Sequence, residues 1–183
     1  VQSEIAAAIS TALGRELAAD SGQVATPTTS NAAAYDLFLR ARAQAGSRVD
    51  ADIRRTIAVY RQAVAADPEF ALAMGELGLE LTNLYWFNTR AATDRDEARL
   101  WIDRALALQP EHPRLRYILA RHLYHGRLDY DGALAELAVA EQGLPGSADV
   151  FMLRSWVLRR SGRALESVAP MQTAALLDPR SEE

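Results

Sequence analysis

The sequence predicts an all-α protein, an α-α superhelix of about four helical hairpins preceded by one amphipathic helix. Alanine, which has the highest helix propensity, is abundant in a chain that is 49% apolar. No segment of useful length shows the alternation of polar and apolar residues that is typical of a strand. Four prolines, at positions 68, 110, 145 and 179, each follow a predicted helix with the same pattern of small residues.

The spacing of these prolines is the strongest signal, since they lie 42, 35 and 34 residues apart. Proline lacks an N–H donor and forces the preceding residue out of the helical region, so each one marks a helix end. Small and large residues recur before each proline at three- and four-residue steps, which places them on one helix face. Five positions before the prolines stand Ala63, Ala105, Ala140 and Ala174. Eight positions before them stand Tyr60, Ile102, Leu137 and Met171. Twelve positions before them stand Thr56, Ala98, Ala133 and Ser167.

A second pattern follows the prolines. Ten and thirteen positions after the first three prolines stand the small residues Gly78, Ala120 and Ser155 and the leucines Leu81, Leu123 and Leu158. The sequence from about 31 to 183 therefore resembles the tetratricopeptide repeat family, whose repeats are 34 residues long. The resemblance implies a solenoid with repeats at about 31–70, 71–112, 113–147 and 148–183. It also implies a non-catalytic scaffold that binds a peptide or protein in a concave groove.

The sequence departs from the repeat in three places. Eight extra residues lie between Leu81 and Ala98, which predicts a first helix longer by one or two turns and then a longer loop. Either Ala41 or Leu39 takes the small position of the first repeat. Pro170 falls inside the last predicted helix, where it should kink or loosen the helix.

The first 30 residues lie outside the repeats. Residues 1–19 carry apolar residues four apart and predict an amphipathic helix, and residues 20–30 read as a linker rich in Gly, Pro, Ser and Thr. Because Val1 begins inside a helical pattern, the sequence looks like a piece of a longer protein. This amino-terminal stretch, followed by AAYDLFLRARA, resembles the junction of bacterial multidomain regulators in which such repeats follow a TolB-like region, with an adenylate cyclase or DNA-binding activator domain at the amino terminus.

The family resemblance implies which residues line the groove, namely positions two, five, nine, twelve and thirteen of each repeat. In the second repeat these are Leu72, Gly75, Leu79, Thr82 and Asn83. In the third and fourth they are Arg114, Tyr117, Arg121, Tyr124 and His125, and Asp149, Met152, Trp156, Arg159 and Arg160. Arginine with Tyr and Trp is enriched at binding hot spots, and arginine suits carboxylates. We therefore expect a protein or peptide partner, with an acidic peptide as one candidate, or else only solvated and packed side chains.

The insertion contains three adjacent aromatic residues, Tyr85, Trp86 and Phe87. Three neighbours on a helix cannot all face one side, so at least one should be exposed. They predict either a surface for a partner or a second copy, or packing against the linker, the first helix or the next hairpin. The last helix poses a similar question, because its apolar residues Val168 and Leu176 have no capping helix after them. We expect it to continue into further repeats or to form a homodimer.

Other function classes find little support in the sequence. The chain has no Cys, so disulfides and thiolate chemistry are excluded. Its net charge of −4 disfavours nucleic acid, and no apolar run spans a membrane. His122 and His125 are three apart, but arginines flank them and no third ligand is near, so we expect solvated or edge-packed histidines and no metal. No catalytic motif or cofactor motif is present, and the compartment is unreadable, with the cytoplasm favoured.

The sequence thus favours a scaffold that is not an enzyme. The alternative is a regulatory or dimerisation segment of a larger bacterial signalling protein, such as an adenylate cyclase or a transcriptional activator.

Overall fold

A computed structural model describes residues 29–179 of the chain, and this part is all helical, which confirms the predicted fold class. The amphipathic helix predicted for 1–19 and the linker up to residue 28 lie outside the described residues. The α-helices are α1 (Ala32–Gln44), α2 (Asp50–Ala66), α3 (Ala71–Leu84), α4 (Ala92–Leu108), α5 (Pro113–His122), α6 (Tyr130–Gly143), α7 (Ala148–Arg160) and α8 (Val168–Leu177).

The helices form four antiparallel hairpins, α1–α2, α3–α4, α5–α6 and α7–α8, and each hairpin packs against the next one in the chain. We call α1, α3, α5 and α7 the first helices of their hairpins, and α2, α4, α6 and α8 the second helices. Every second helix ends two residues before one of the four prolines, at Ala66, Leu108, Gly143 and Leu177.

Small residues bring the helices of each hairpin together. Ala63, Ala105, Ala140 and Ala174 are all at most 1% exposed. A Cβ atom on Gly78 would lie 2.6 Å from Cγ1 of Ile102, so α3 and α4 approach too closely for any side chain there. In the first hairpin Ala41 is fully buried whereas Leu39 is 44% exposed, and Ala41 therefore occupies the small position.

The first helices end in two different ways. In the first and fourth hairpins a glycine with positive φ follows the helix, Gly46 at 99° and Gly162 at 85°. In the second and third hairpins the helix continues into a π-helical turn, Tyr85–Thr89 or Leu123–Arg127. A non-glycine residue with positive φ closes each π turn, Arg90 at 54° and Leu128 at 55°.

The insertion is taken up by helix and not by loop. After the π turn only Arg90 and Ala91 connect to α4, which is 17 residues long. The prediction of a longer first helix matches this geometry, but the prediction of a longer loop after it is wrong. A π turn adds one residue per turn to an α-helix, so part of the extra length is absorbed within the helix itself.

Pro170 does not kink the last helix. The helix α8 begins only at Val168, because residues 164–167 form turns, and Pro170 therefore lies in its first turn. The N–H groups of a first turn have no partner within the helix, so a proline there removes no hydrogen bond. The prediction of a kink is wrong, and the helix is short instead, with 10 residues.

Candidate functional site

Arginine and aromatic side chains from three hairpins converge at the carboxyl-terminal ends of their first helices. The two π turns supply the aromatic part, and α5 and α7 supply two of the arginines. We call this set the arginine–aromatic cluster, and it consists of Trp86, Arg90, Arg121, Tyr124, His125 and Arg160.

The centre of the cluster is a stack of rings. The indole of Trp86 and the imidazole of His125 are nearly parallel, 24° apart, with centroids separated by 4.6 Å. The ring of Tyr124 lies tilted at 4.6 Å from His125. The guanidinium carbon of Arg90 is 4.1 Å from the Trp86 centroid, and that of Arg160 is 5.3 Å from Trp86 and 5.6 Å from Tyr124. The rings thus offer their electron-rich faces to two cations.

The cluster joins two regions that the sequence predicts separately. The insertion aromatics and the groove residues meet because Trp86 packs against His125 of the next hairpin. Tyr85 is half-buried, and Phe87, 37% exposed, lies under the guanidinium of Arg48 at 5.2 Å. The aromatic run therefore spreads over different sides of the helix, as its spacing requires.

No carboxylate among the described residues forms an ion pair with the arginines of the cluster, although the buried Glu80 interacts with the charge of Arg121 from beyond ion-pair distance. Within the described residues Arg90, Arg121 and Arg160 form no ion pair, whereas Arg114 and Arg116 are both paired with glutamates. Arg121 instead donates hydrogen bonds to Oη of Tyr117 at 3.2 Å and to Oδ1 of Asn83 at 3.2 Å. The three guanidiniums therefore keep their positive charge available.

The two histidines are buried, and the prediction of solvated or edge-packed rings is wrong. His122 is 0% exposed, and its Nδ1 lies 3.1 Å from Oγ1 of Thr82. Burial lowers the pKa of His122 to about 4, with Arg99 and Arg127 adding repulsion. Burial also lowers the pKa of His125 to about 3, and Arg121, Arg160 and Arg90 contribute to that shift. Both rings are therefore neutral at pH 7.

These rings do not form a metal site together. One ring contacts Thr82 and the other stacks on Trp86, so their partners differ. Residues 29–179 contain no group of three His, Cys, Asp or Glu side chains placed to hold a metal ion.

Arg114 is engaged with an acid that the sequence does not single out. It forms a forked pair with Glu76, with Nε–Oε1 and Nη2–Oε2 distances of 2.7 and 3.1 Å. Glu80, one turn further along α3, is 3% exposed, and burial raises its pKa to about 7. Two glutamates one turn apart give the same sequence pattern on an exposed helix, so the sequence does not mark Glu76 and Glu80 as buried. Only the burial of the whole of α3 distinguishes them.

The predicted groove residues of the second repeat lie inside the protein. Every residue of α3 is buried, including the predicted set Leu72, Gly75, Leu79, Thr82 and Asn83. A Cβ atom on Gly75 would lie 2.3 Å from Cδ2 of Leu115, so α3 and α5 touch at this glycine. The first helices pack so closely here that no side chain of α3 remains open to a ligand.

The third and fourth repeats contribute the open part of this surface. Tyr117 is buried, and Arg114 packs over its ring at 5.0 Å. On α7, Asp149, Arg159 and Arg160 are exposed, and Met152 and Trp156 are half-buried. A surface of arginine and aromatic residues thus runs from the cluster onto α7, and we call it the first-helix surface.

Two shallow depressions lie elsewhere. One of about 420 Å³, between α6 and α7, is lined by Pro145 and Phe151 and by the ion pair of Arg154 and Glu141. The other, about 140 Å³, lies between α2 and the second hairpin. Neither contains a residue of the cluster. In the part of the chain that the structure covers, no helix is both long and apolar enough to cross a membrane.

No protein-family model matches the sequence, and no curated protein matches it either. Among solved structures, MamA MSR-1 is 19% identical with a TM-score of 0.50, covering 70% of this chain and 69% of that one. MamA AMB-1 is 16% identical with a TM-score of 0.52, covering 82% and 94%. YrrB, a TPR protein with an unusual peptide-binding site, is 17% identical with a TM-score of 0.45, covering 72% and 80%.

These identities are low, so the similarity to MamA establishes the fold and nothing about activity or ligand. The resemblance of the amino-terminal stretch to bacterial multidomain regulators stays a prediction. The helices, the small positions and the similarity to MamA agree. Together they establish that this chain has the tetratricopeptide-type fold, a solenoid of helical hairpins.

Proposed function

We propose that the chain is a protein-interaction scaffold that binds a peptide or protein segment on its first-helix surface, centred on the arginine–aromatic cluster. The observation that carries the proposal is the convergence of Trp86, His125 and Arg160 from three hairpins at one place. A solenoid needs its helices only to contact their neighbours in the chain. Aromatic and arginine residues gathered from three hairpins are instead typical of a binding hot spot.

The surface next to the cluster supports the same function. Trp156 and Met152 are half-buried on α7, so each keeps apolar area that a partner can cover. Arg159 and Arg160 are exposed beside them and can act as a polar rim.

Site-specific photo-crosslinking in cells tests this function. A benzoylphenylalanine replaces Trp156 on the first-helix surface or, as a control, Leu108, which is 46% exposed on the second helix α4. We expect the same protein to be captured repeatedly through position 156 and not through position 108. Adding Arg160→Gln to the first variant should reduce the capture. Equal capture at both positions, or none at either, would refute the proposal.

A second candidate function, self-association of a regulatory segment, is favoured by the last hairpin. Leu165, Val168, Leu176 and Leu177 are 91, 51, 83 and 42% exposed. Exposed apolar side chains on the last described hairpin leave apolar area that another unit can cover.

Light scattering over a range of protein concentrations tests this candidate. We expect a dimer that the pair Leu165→Glu and Leu176→Glu converts to a monomer. The control Leu100→Glu changes a residue that is 48% exposed on α4 and should leave the dimer intact. A monomer at every concentration would remove this candidate.

A further inference from the structure

We propose that the arginine–aromatic cluster is an oxyanion site that receives an acidic side chain of the bound segment, which makes the partner an acidic peptide. This inference rests on the proposed function and names the chemistry of its ligand. The site combines Arg90, Arg121 and Arg160 with the face of Trp86.

The arginines are the first argument. Arg90, Arg121 and Arg160 all lie close enough to His125 to lower its pKa by repulsion. Bringing three like charges together is unfavourable unless an anion compensates them. Ten other arginines within residues 29–179 form ion pairs with carboxylates, and five more, Arg40, Arg42, Arg48, Arg104 and Arg159, form none. The three of the cluster differ from those five because they converge on one buried ring, that of His125.

Unsatisfied polar atoms are the second, independent argument. His125 is 6% exposed, and its Nδ1 has no hydrogen-bond partner. Nε of Arg121 is also buried without a partner. A buried polar atom without a partner is costly, and in native proteins a water, an ion or a ligand group satisfies such atoms. Other such atoms among the described residues, for example Tyr60 Oη and Gln109 Oε1, lie away from the cluster. Both atoms belong to side chains of the cluster, and each is a group to which an oxyanion can hydrogen-bond.

Helix ends account for only part of this arrangement. Arg90 and Arg160 follow or end their helices, where a cation is favourable beside unpaired carbonyl groups. Arg121 is different, because its helix continues through the π turn as far as Arg127. Its charge is held in the cluster by Tyr117 and Asn83. The favourable interaction with helix ends therefore explains Arg90 and Arg160. It explains neither the position of Arg121 nor the unpartnered Nδ1 of His125.

A peptide fits this surface better than a free anion does. The cluster is continuous with Trp156 and Met152 on α7, which offer apolar area for the residues next to an acidic side chain. A bidentate guanidinium–carboxylate pair then fixes the position of the segment. Aromatic rings with arginine also suit single-stranded nucleic acid, so an oligonucleotide is included among the probes.

The test is a calorimetric titration of the chain with defined probes. One probe is a blocked octapeptide containing four Glu residues, and its matched control has Gln at the same four positions. A third octapeptide carries phosphoserine in place of Glu, and a fourth probe is an eight-nucleotide oligonucleotide. We expect the Glu or the phosphoserine peptide to bind at least about tenfold more tightly than the Gln peptide. Which of the two binds more tightly identifies carboxylate or phosphate as the natural group.

Charge-matched variants locate the binding. We expect Arg121→Gln with Arg160→Gln to weaken binding at least about tenfold, whereas Arg40→Gln with Arg104→Gln should leave it unchanged. Arg40 and Arg104 are exposed and form no ion pair among the described residues. Urea unfolding of each variant shows whether the fold is kept.

Three results would overturn the proposal. They are absence of binding by both acidic peptides, an equal loss in the two double variants, or tighter binding of the oligonucleotide than of either acidic peptide. The proposed function would survive each of these if crosslinking at position 156 still captured a partner. Failure of the oxyanion site and failure of the scaffold function are therefore distinguishable.

Discussion

The second and third hairpins differ from the first and fourth in how their first helices end. In the first and fourth hairpins a glycine takes the positive φ that reverses the chain, at Gly46 and Gly162. In the second and third hairpins a π turn precedes a non-glycine residue in that conformation, Arg90 or Leu128. Left-handed backbone costs a non-glycine residue about 1 to 2 kcal/mol, so these two ends are strained and the other two are not.

The strained ends are also where the cluster lies. The π turns carry Trp86, Tyr124 and His125, and the strained residue Arg90 itself packs on Trp86. The turn at Gly46 carries no residue of the cluster, and the turn at Gly162 follows only Arg160. Strained conformations and π turns concentrate at functional sites, which supports the proposal that the two π turns form the centre of the binding site.

Removing the ring of Trp86 should have the largest effect on stability among these variants. We expect Trp86→Ala to lower the free energy of unfolding by about 2 to 3 kcal/mol, because a half-buried indole loses its stack on His125 and two cation–π contacts. Trp156→Ala, in the regular helix of the fourth hairpin, should cost less, about 1 to 2 kcal/mol. Urea unfolding followed by circular dichroism gives both values. A larger loss for Trp156→Ala would mean that the cluster contributes less to stability than the packing of α7 does.

The buried histidines should make stability depend on pH. Their folded pKa values, about 4 for His122 and about 3 for His125, lie below the ordinary value of about 6.5. The unfolded chain therefore binds more protons between these values, and stability falls as the pH drops from about 6.5 toward 4. We expect His125→Phe, which keeps an aromatic ring, to reduce the slope by up to about 1.4 kcal/mol per pH unit in this range.

Glu80, in the α-helical part of α3, should change the pH dependence of stability in the direction opposite to the histidines. It therefore serves as the control for His125→Phe. Its folded pKa of about 7 lies above the ordinary value, so its contribution to stability is lost as the pH rises from about 4.5 to 7. Glu80→Gln should therefore make the rise of stability with pH steeper. Unfolding measured from pH 4.5 to 8 separates the two effects, and an unchanged slope in His125→Phe would mean that its ring is not buried and neutral.

Relieving the backbone strain at Leu128 should have the smallest effect on stability. We expect Leu128→Gly to stabilise the protein by about 0.5 to 1 kcal/mol, because the side chain is 55% exposed and contributes little packing. Gly162→Ala should have the opposite sign, with a loss of about 1 kcal/mol, because it places a side chain at positive φ. Thermal unfolding measures both. If both variants are destabilised, the positive φ at Leu128 is not a source of strain.

Much of the fold could be predicted from the sequence because its signals are local. A proline ends a helix wherever it stands, and an alanine every third or fourth position marks a close contact. Ala63, Ala105 and Ala140 are accordingly fully buried. The choice between Ala41 and Leu39 needed the structure, since both residues are compatible with an apolar face.

The site was predictable only in part, for two physical reasons. A π turn is closed by a backbone hydrogen bond, N–H of Arg90 to the carbonyl of Tyr85, and such a bond has no side-chain signature. Burial of α3 depends on how closely the hairpins stack, which no repeat position encodes, so Gly75 and Thr82 were predicted to face a ligand and instead pack on the next hairpin. Arg90 was missed because the family pattern has no counterpart for the insertion.

Hydrogen exchange with and without the Glu octapeptide tests most directly whether the two π turns form part of the binding site. At a saturating peptide concentration, we expect slower exchange of the backbone amides in 85–90 and 123–128. Exchange in 45–49, where the first hairpin reverses at Gly46 and no residue of the cluster lies, should not change. Protection confined to 45–49, or none in either π turn while the peptide is bound, would contradict a binding site at the π turns.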